Sequence, residues 1–242
     1  MNRQTRVLVV AIVVAFVAFL DGAVINVALP AIRDDLGGGL VVQQWVVDGY
    51  LITLGAFILT AGSLSDAFGR LRIMRIGLYG FGVSSLACAL AQDGVLLIIA
   101  RIVQGAAGAL LVPSALALII ANFSAAEQGK AIGRWTAWTT AAFLGGPFLG
   151  GILVDFANWR WVFAINVFPI VAALILMRGL GAEERPAHRA RIDYLGAVLG
   201  IVGLGGPVFG LIEQERLGWS SPGVIIPIAV GLVSFAVFLW WE

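Results

Sequence analysis

The chain has 242 residues, 60% of them hydrophobic and 12% charged, with a net charge of +1 and a mean hydropathy of +0.99. Soluble domains carry about 25% charged residues, so this composition excludes one, and near-neutrality offers nucleic acid no basic surface. The single Cys88 permits no intrachain disulfide, and the single His188, in a polar stretch, argues against a histidine metal site.

A membrane helix needs about 20 mainly apolar residues. Eight runs qualify in chain order: 7–29, 44–63, 72–90, 95–120, 131–154, 159–180, 194–212 and 224–241. The first has the charged start and apolar stretch of a signal peptide. Apolar character nevertheless continues to Leu29 with no small-residue cleavage site, so it reads as a span that stays. The breaks carry turn and charge signals, at 30–39, 66–70, 92–94, 124–130, 155–160, 183–193 and 213–222. The 31 glycines and 8 prolines lie mostly within the apolar runs, as membrane helices tolerate. The expected fold is an all-α polytopic membrane protein: a six-helix bundle over 1–180, a cytoplasmic loop over 181–193 and two additional spans over 194–242.

Orientation follows from the Lys/Arg bias. With the N-terminus inside, one face holds Arg3, Arg6, Arg70, Arg72, Arg75, Lys130, Arg134, Arg178, Arg185, Arg189 and Arg191, against Arg33, Arg160 and Arg216 on the other. Both termini are therefore expected in the cytoplasm. Trp45, Trp159, Trp161 and Trp219 fall at the outer edge and Trp135, Trp240 and Trp241 at the inner edge, as an aromatic belt would.

The first six runs contain an internal echo. Asn26-Val-Ala-Leu-Pro30 answers Ala109-Leu-Leu-Val-Pro113, and Gly62-x-Leu-x-Asp66 answers Gly151-x-Leu-x-Asp155, at offsets of 83 and 89 residues. Three spans separate the copies, so the second is upside down in the bilayer. Inverted three-span repeats characterise secondary transporters.

The segment Gly62-Ser-Leu-Ser-Asp66-Ala-Phe-Gly69-Arg70 joins two spans and resembles the loop after the second helix of major facilitator superfamily transporters. Leu97-x-x-x-Arg101-x-x-Gln104-Gly105 resembles that superfamily's fourth-helix motif. Gly133 with Gly146-Pro147-x-x-Gly150-Gly151 resembles its fifth-helix antiporter motif, and Trp159-Arg-Trp-Val-Phe-Ala-Ile-Asn166 the stretch that follows. Leu20-Asp-Gly-Ala-Val-Ile-Asn26-Val-Ala-Leu-Pro30 is similar to the first span of the fourteen-span drug:H⁺ antiporters. Asp193-Tyr-Leu-Gly196 and Leu217-Gly-Trp-Ser-Ser-Pro222 resemble the edges of that family's two extra helices. The chain departs at Ala67 and Leu71, where basic residues are usual, and at Ala142, where glycine is usual.

The resemblance implies a proton-coupled secondary transporter exporting drug-like or secondary-metabolite molecules from the plasma (inner) membrane. Its partners would be small lipophilic substrates, protons and the lipid bilayer. No cofactor, enzymatic activity or nucleic-acid partner is expected; serines lack a nearby histidine and no P-loop is present. The alternatives are an inactive or regulatory membrane fragment, or a metabolite uptake symporter; the antiporter motif argues against the latter. By the resemblance a second six-helix half follows Glu242, so the chain is expected to be truncated, to pair with another half or to self-associate.

Asp21 lies about eight residues, or about 12 Å, from the outer end of its span, and Arg101 about six residues, or about 9 Å, from the same side. An unpaired charge near the middle of a membrane helix costs at least about 2.5–3.5 kcal/mol, so both should face inward and seek partners. They read either as a protonatable coupling site or as a permanent structural ion pair. Asp48 either joins them or is wetted at the interface, and Asn26 and Gln104 supply hydrogen bonds, functional or structural. Asp66, Gly69, Arg70 and Arg72, with Gly62, read as a cytoplasmic gate: Asp66 caps the next helix and Arg70 bridges to a neighbour. Simple positive-inside anchoring is the alternative. Gly146-Pro147 should bend the fifth span, while Gly150 and Gly151 allow close helix approach.

Overall fold

The structure is a computed structural model that describes residues 2–181 and 193–241. The sequence's His188, Arg185, Arg189 and Arg191, and most of the expected 181–193 loop, lie outside the described residues.

Every regular element among the described residues is a helix: α1 (Arg3–Leu36), α2 (Gly39–Phe68), α3 (Arg70–Ala89), α4 (Gly94–Ala109), α5 (Leu111–Asn122), α6 (Ala125–Phe156), α7 (Trp161–Ala164), α8 (Val167–Arg178), α9 (Tyr194–Leu217) and α10 (Pro222–Trp241). Helices α4 and α5 together form the fourth run, and α7 and α8 the sixth. The fourth run breaks at Leu110 because Pro113 has no N–H for the Ala109 carbonyl; Leu110 N–H turns tightly onto Ala107 O at 3.2 Å. Pro169 likewise cannot donate to Ile165, and the sixth run breaks there.

Several boundaries differ from expectation: α6 begins at Ala125 rather than at 131, and α9 runs to Leu217 rather than to 212. Pro30 does not end the first span. Helix α1 continues to Leu36, where Gly37, Gly38 and Gly39, with φ of 71°, 82° and 64°, turn the chain in a backbone region that favours glycine. Helix α2 likewise runs past Ser63 to Phe68, so Asp66 sits in its last turn rather than in a loop.

Among the described residues, seven segments are long and apolar enough to cross a membrane: α1, α2, the α4–α5 pair, α6, the α7–α8 pair, α9 and α10. The remaining one, α3, has 20 residues, about 30 Å of helix, but carries Arg70, Arg72 and Arg75 in its first two turns. Helix α1 is apolar all round and central, with 67% of its most apolar window buried against 11% for α10. It contributes to two core clusters. One gathers Val10, Val14, Leu78, Phe81, Leu111 and Met177; the other gathers Val24, Ile32, Leu97, Trp159 and Phe163. The outward faces are apolar too: Phe148, Phe156 and Leu239 are exposed, which suits a hydrocarbon surround rather than water.

Helix α1 packs on α5, α6 and α8, α4 lies between α2 and α3, and the α9–α10 hairpin docks on α2 through α9. Glycines set the hairpin's spacing. A Cβ at Gly206 would lie 3.0 Å from Gly231 Cα, and one at Gly203 3.0 Å from Phe235 Cα. The hairpin ends meet where Trp241 Nε1–H donates to Asp193 Oδ2 at 3.1 Å.

Candidate functional site

Between the two apolar clusters lies a knot of buried polar groups. Arg101 is 0% and Asp21 2% exposed, although both are ionisable. Arg101 Nη1 donates to Asp21 Oδ2 at 2.6 Å and to Gln104 Oε1 at 2.7 Å, while its Nε donates to the Val46 carbonyl at 2.9 Å. Gln104 Nε2 donates to Asp21 Oδ1 at 3.0 Å and to Ser85 Oγ at 2.7 Å. Asn166 Nδ2 donates to the same Asp21 Oδ1 at 2.7 Å.

Local structure explains the convergence. On α4, Arg101 and Gln104 are three residues apart and share one face. Gly105 lets the backbones of α2 and α4 close up, since a Cβ there would overlap the Tyr50 carbonyl. The interruption before Pro169 turns Asn166 inward at the α7–α8 join. Asp21 comes from α1 and accepts from α4 and from the α7–α8 join, while Ser85 of α3 accepts from Gln104 and Asn166 and the Val46 carbonyl of α2 from Arg101. Three donors on a single buried carboxylate satisfy it as water would, and that makes its burial tolerable.

Two atoms are left over. Arg101 Nη2 and Asn166 Oδ1 are buried and without hydrogen-bond partners. The guanidinium lies instead against aromatic rings, with its Cζ 4.1 Å from the Tyr50 centroid and 5.7 Å from that of Phe163. The network thus holds one spare donor and one spare acceptor.

Beside the knot is an apolar pocket of about 250 Å³ lined by Ala18, Phe19, Gly22, Tyr50, Leu51, Leu54, Ile58, Val112 and Phe143. None of these carries a formal charge, and Gly22 and Tyr50 adjoin the ionic groups directly.

The expected residues divide. Asp21, Arg101 and Gln104 come together as one network. Asn26 does not join it: its side chain is exposed and donates to the Gly22 carbonyl at 3.3 Å within α1. Asp48 does not join it either. It is half-buried, with no hydrogen bond or ion pair among the described residues, on the stripe of α2 that carries Trp45 and Ile52 toward α9. Asp66 pairs with Arg70 at 3.4 Å across Gly69, whose φ is 96°, so Arg70 meets its own turn rather than a neighbouring helix. Arg72 is exposed without an ion pair among the described residues, and a Cβ at Gly62 would meet open space.

In the antiporter motif, Gly146 and Gly150 press on α1. A Cβ at Gly146 would lie 2.5 Å from Ala23 Cβ, and one at Gly150 3.1 Å from Val24 O. Both contacts fall within three residues of Asp21. Gly133 and Gly151 face open space, and Pro147 is exposed.

Sequence reasoning missed Tyr50, Ser85 and Asn166 as members of the site. Asn166 had a signal, a buried amide three residues before a proline in an apolar run. Tyr50 and Ser85 had none beyond polarity.

The model of the Major Facilitator Superfamily matches residues 11–239. The methylenomycin A resistance protein of Bacillus subtilis (strain 168) is 36% identical over 237 residues, covering 98% of this chain and 51% of that protein. The puromycin resistance protein pur8 of Streptomyces alboniger is 37% identical over 232 residues, covering 96% of this chain and 46% of that protein. The chain spans about half the length of the curated relatives it matches. The crystal structure of the peptide transporter POT in complex with sulfate aligns with 99% of this chain and 51% of its own, at a TM-score of 0.66 and 12% identity, a likeness of fold. The succession of span-length apolar helices among the described residues makes this a multi-pass membrane protein, and the family match adds the conclusion that the chain belongs to the Major Facilitator Superfamily.

Proposed function

We propose that the chain is the N-terminal part of a proton-coupled exporter of drug-like or secondary-metabolite molecules, of the fourteen-span antiporter type. It works in the plasma membrane with both termini cytoplasmic, and a second six-helix half completes the transport path. Residues 1–180 form the moving bundle and 194–241 the added helix pair.

The observation that carries this reading is the buried Asp21–Arg101 pair at 2.6 Å beside an uncharged pocket. The named roles of the relatives in methylenomycin and puromycin resistance supply the substrate class. Asp21 alternates between ionised and protonated forms. Ionised, it holds α1 to α4 through Arg101 and Gln104. Protonated, it no longer balances Arg101, whose idle Nη2 then seeks another acceptor, while the unpartnered Asn166 Oδ1 is available to the new carboxyl proton. That exchange loosens the α1–α4 tie and lets the bundle rock against its other half. Asp66 and Arg70 act at the cytoplasmic gate.

The test is transport by the complete protein reconstituted in proteoliposomes under an imposed pH gradient, over a panel that includes puromycin and tetraphenylphosphonium. Gradient-driven accumulation that a protonophore collapses is expected. Absence of any gradient-driven movement across the panel refutes the proposal.

A further inference from the structure

Resting on that reading, we infer that Tyr50 is the positioning residue that couples occupancy of the apolar pocket to the proton on Asp21. The ring belongs to both places at once. Its face covers the Arg101 guanidinium, 4.1 Å from Cζ to centroid, and its flank forms part of the pocket wall with Leu51, Leu54 and Phe143. Among the described residues two rings lie over the guanidinium, Tyr50 and Phe163, and of these Tyr50 alone lines the pocket.

The ring is also held tightly. Tyr50 is 2% exposed and sits in the core cluster that holds Phe81 and Leu111, so it moves only with its neighbours. An occupant therefore presses the ring onto a guanidinium that has one nitrogen without a hydrogen bond, where the ring's electron-rich face provides the remaining stabilisation. That arrangement belongs to ionised Asp21, which fixes Arg101 through Nη1. When Asp21 takes up a proton, Arg101 is released, the ring loses its seat and the pocket wall deforms. Occupant and proton thus oppose each other, and by linkage each expels the other to the same degree.

Among the described residues, the charged groups acting on the ring are Asp21 from α1 and Arg101 from α4; Cys88 from α3 acts with the same two, and the Tyr50 phenol is the remaining titratable group. Cys88 is buried, with its Sγ 3.7 Å from Gln104 Oε1, and is not part of the pocket lining. Asp21 is the group whose charge the linkage reads.

The experiment measures tetraphenylphosphonium affinity of the purified full chain at acid and alkaline pH, by equilibrium dialysis in nanodiscs. Wild type should bind more tightly at alkaline pH by at least about fivefold, the lower end of ordinary coupling. Tyr50→Phe, which keeps the ring, should retain that ratio. Tyr50→Leu, and Tyr50→Met should leucine fail to fold, should still bind but with a ratio below about twofold. A wild-type ratio in the folded leucine or methionine variant overturns the inference. So does loss of binding at both pH values, which leaves Tyr50 a pocket wall only. Asp21→Asn separates the two levels. If it keeps the wild-type ratio, or if wild type has none, the reading of Asp21 as the proton site fails. If it abolishes the ratio while Tyr50→Leu preserves it, only the coupling role of Tyr50 fails.

Discussion

Replacing Arg101 with alanine removes one member of a fully buried ion pair and should cost more than any other single change in the bundle. The geometry sets the size. Arg101 makes three hydrogen bonds, to Asp21, Gln104 and Val46 O, and fills space between Tyr50 and Phe163 with no exposed surface. Breaking a buried pair from one side typically costs about 3–5 kcal/mol, because the surviving charge is left uncompensated. At about 2–4 °C per kcal/mol for a chain of this length, the midpoint should fall by about 10 °C. Removing both charges, with Asp21→Asn and Arg101→Gln, should recover most of that loss, since amides pair with Gln104 and with the idle Asn166 Oδ1. Arg101→Lys should rescue in part only: one ammonium cannot reproduce donors aimed from Nε and Nη1 in a fixed plane. The assay is thermal unfolding in detergent followed by tryptophan fluorescence. Equal midpoints for the arginine-to-alanine variant, the double variant and wild type would refute the pairing argument.

Gly146→Val should destabilise the chain and disturb the α1–α6 contact beside Asp21, whereas Gly151→Ala, facing open space, should stay within about 0.5 kcal/mol; paired melts distinguish the two. Gly206→Leu should pry α10 from α9 and raise hydrogen exchange in 222–241 without altering that of α1, because the displaced contacts are confined to the hairpin. Single cysteines in a Cys88→Ser background should react with an impermeant maleimide from one side at Asn2 and Asp193, and from the other at Gly37, Asp93 and Gly218. Reaction at Gly37 and Asp93 from opposite sides would show that α3 and its three arginines do not complete a crossing.

Hydropathy made the architecture readable because each span had to carry its apolar surface in consecutive residues. The breaks inside the fourth and sixth runs escaped that reading. Hydropathy does not register the donors missing at Pro113 and Pro169, and the run stays apolar across Leu110 and Ile165. Pro30 misled in the other direction, since one lost bond near a helix end does not stop a helix that still has neighbours to pack on. In the site, Asp21 and Arg101 stood out as charges in apolar surroundings, and Gln104 followed from its spacing to Arg101. Asp48 carries the same chemistry as Asp21, yet it lies toward α9. Which face of α2 turns inward depends on contacts with α4 and α9 that are distant in sequence. Ser85 and Asn166 were hidden for the complementary reason: neutral polar side chains are common in membrane helices, and only assembly brings Asn166 onto the Asp21 carboxylate and Ser85 onto the amides that hold it.

The central claim is that Asp21 is the group that exchanges the coupling proton. Its most direct test is Asp21→Asn in the complete transporter, with uphill, gradient-driven transport and downhill equilibration of one substrate measured in the same vesicles. The account predicts loss of uphill transport in a folded, membrane-inserted protein that still equilibrates substrate down its gradient. Uphill transport at the wild-type rate would contradict it.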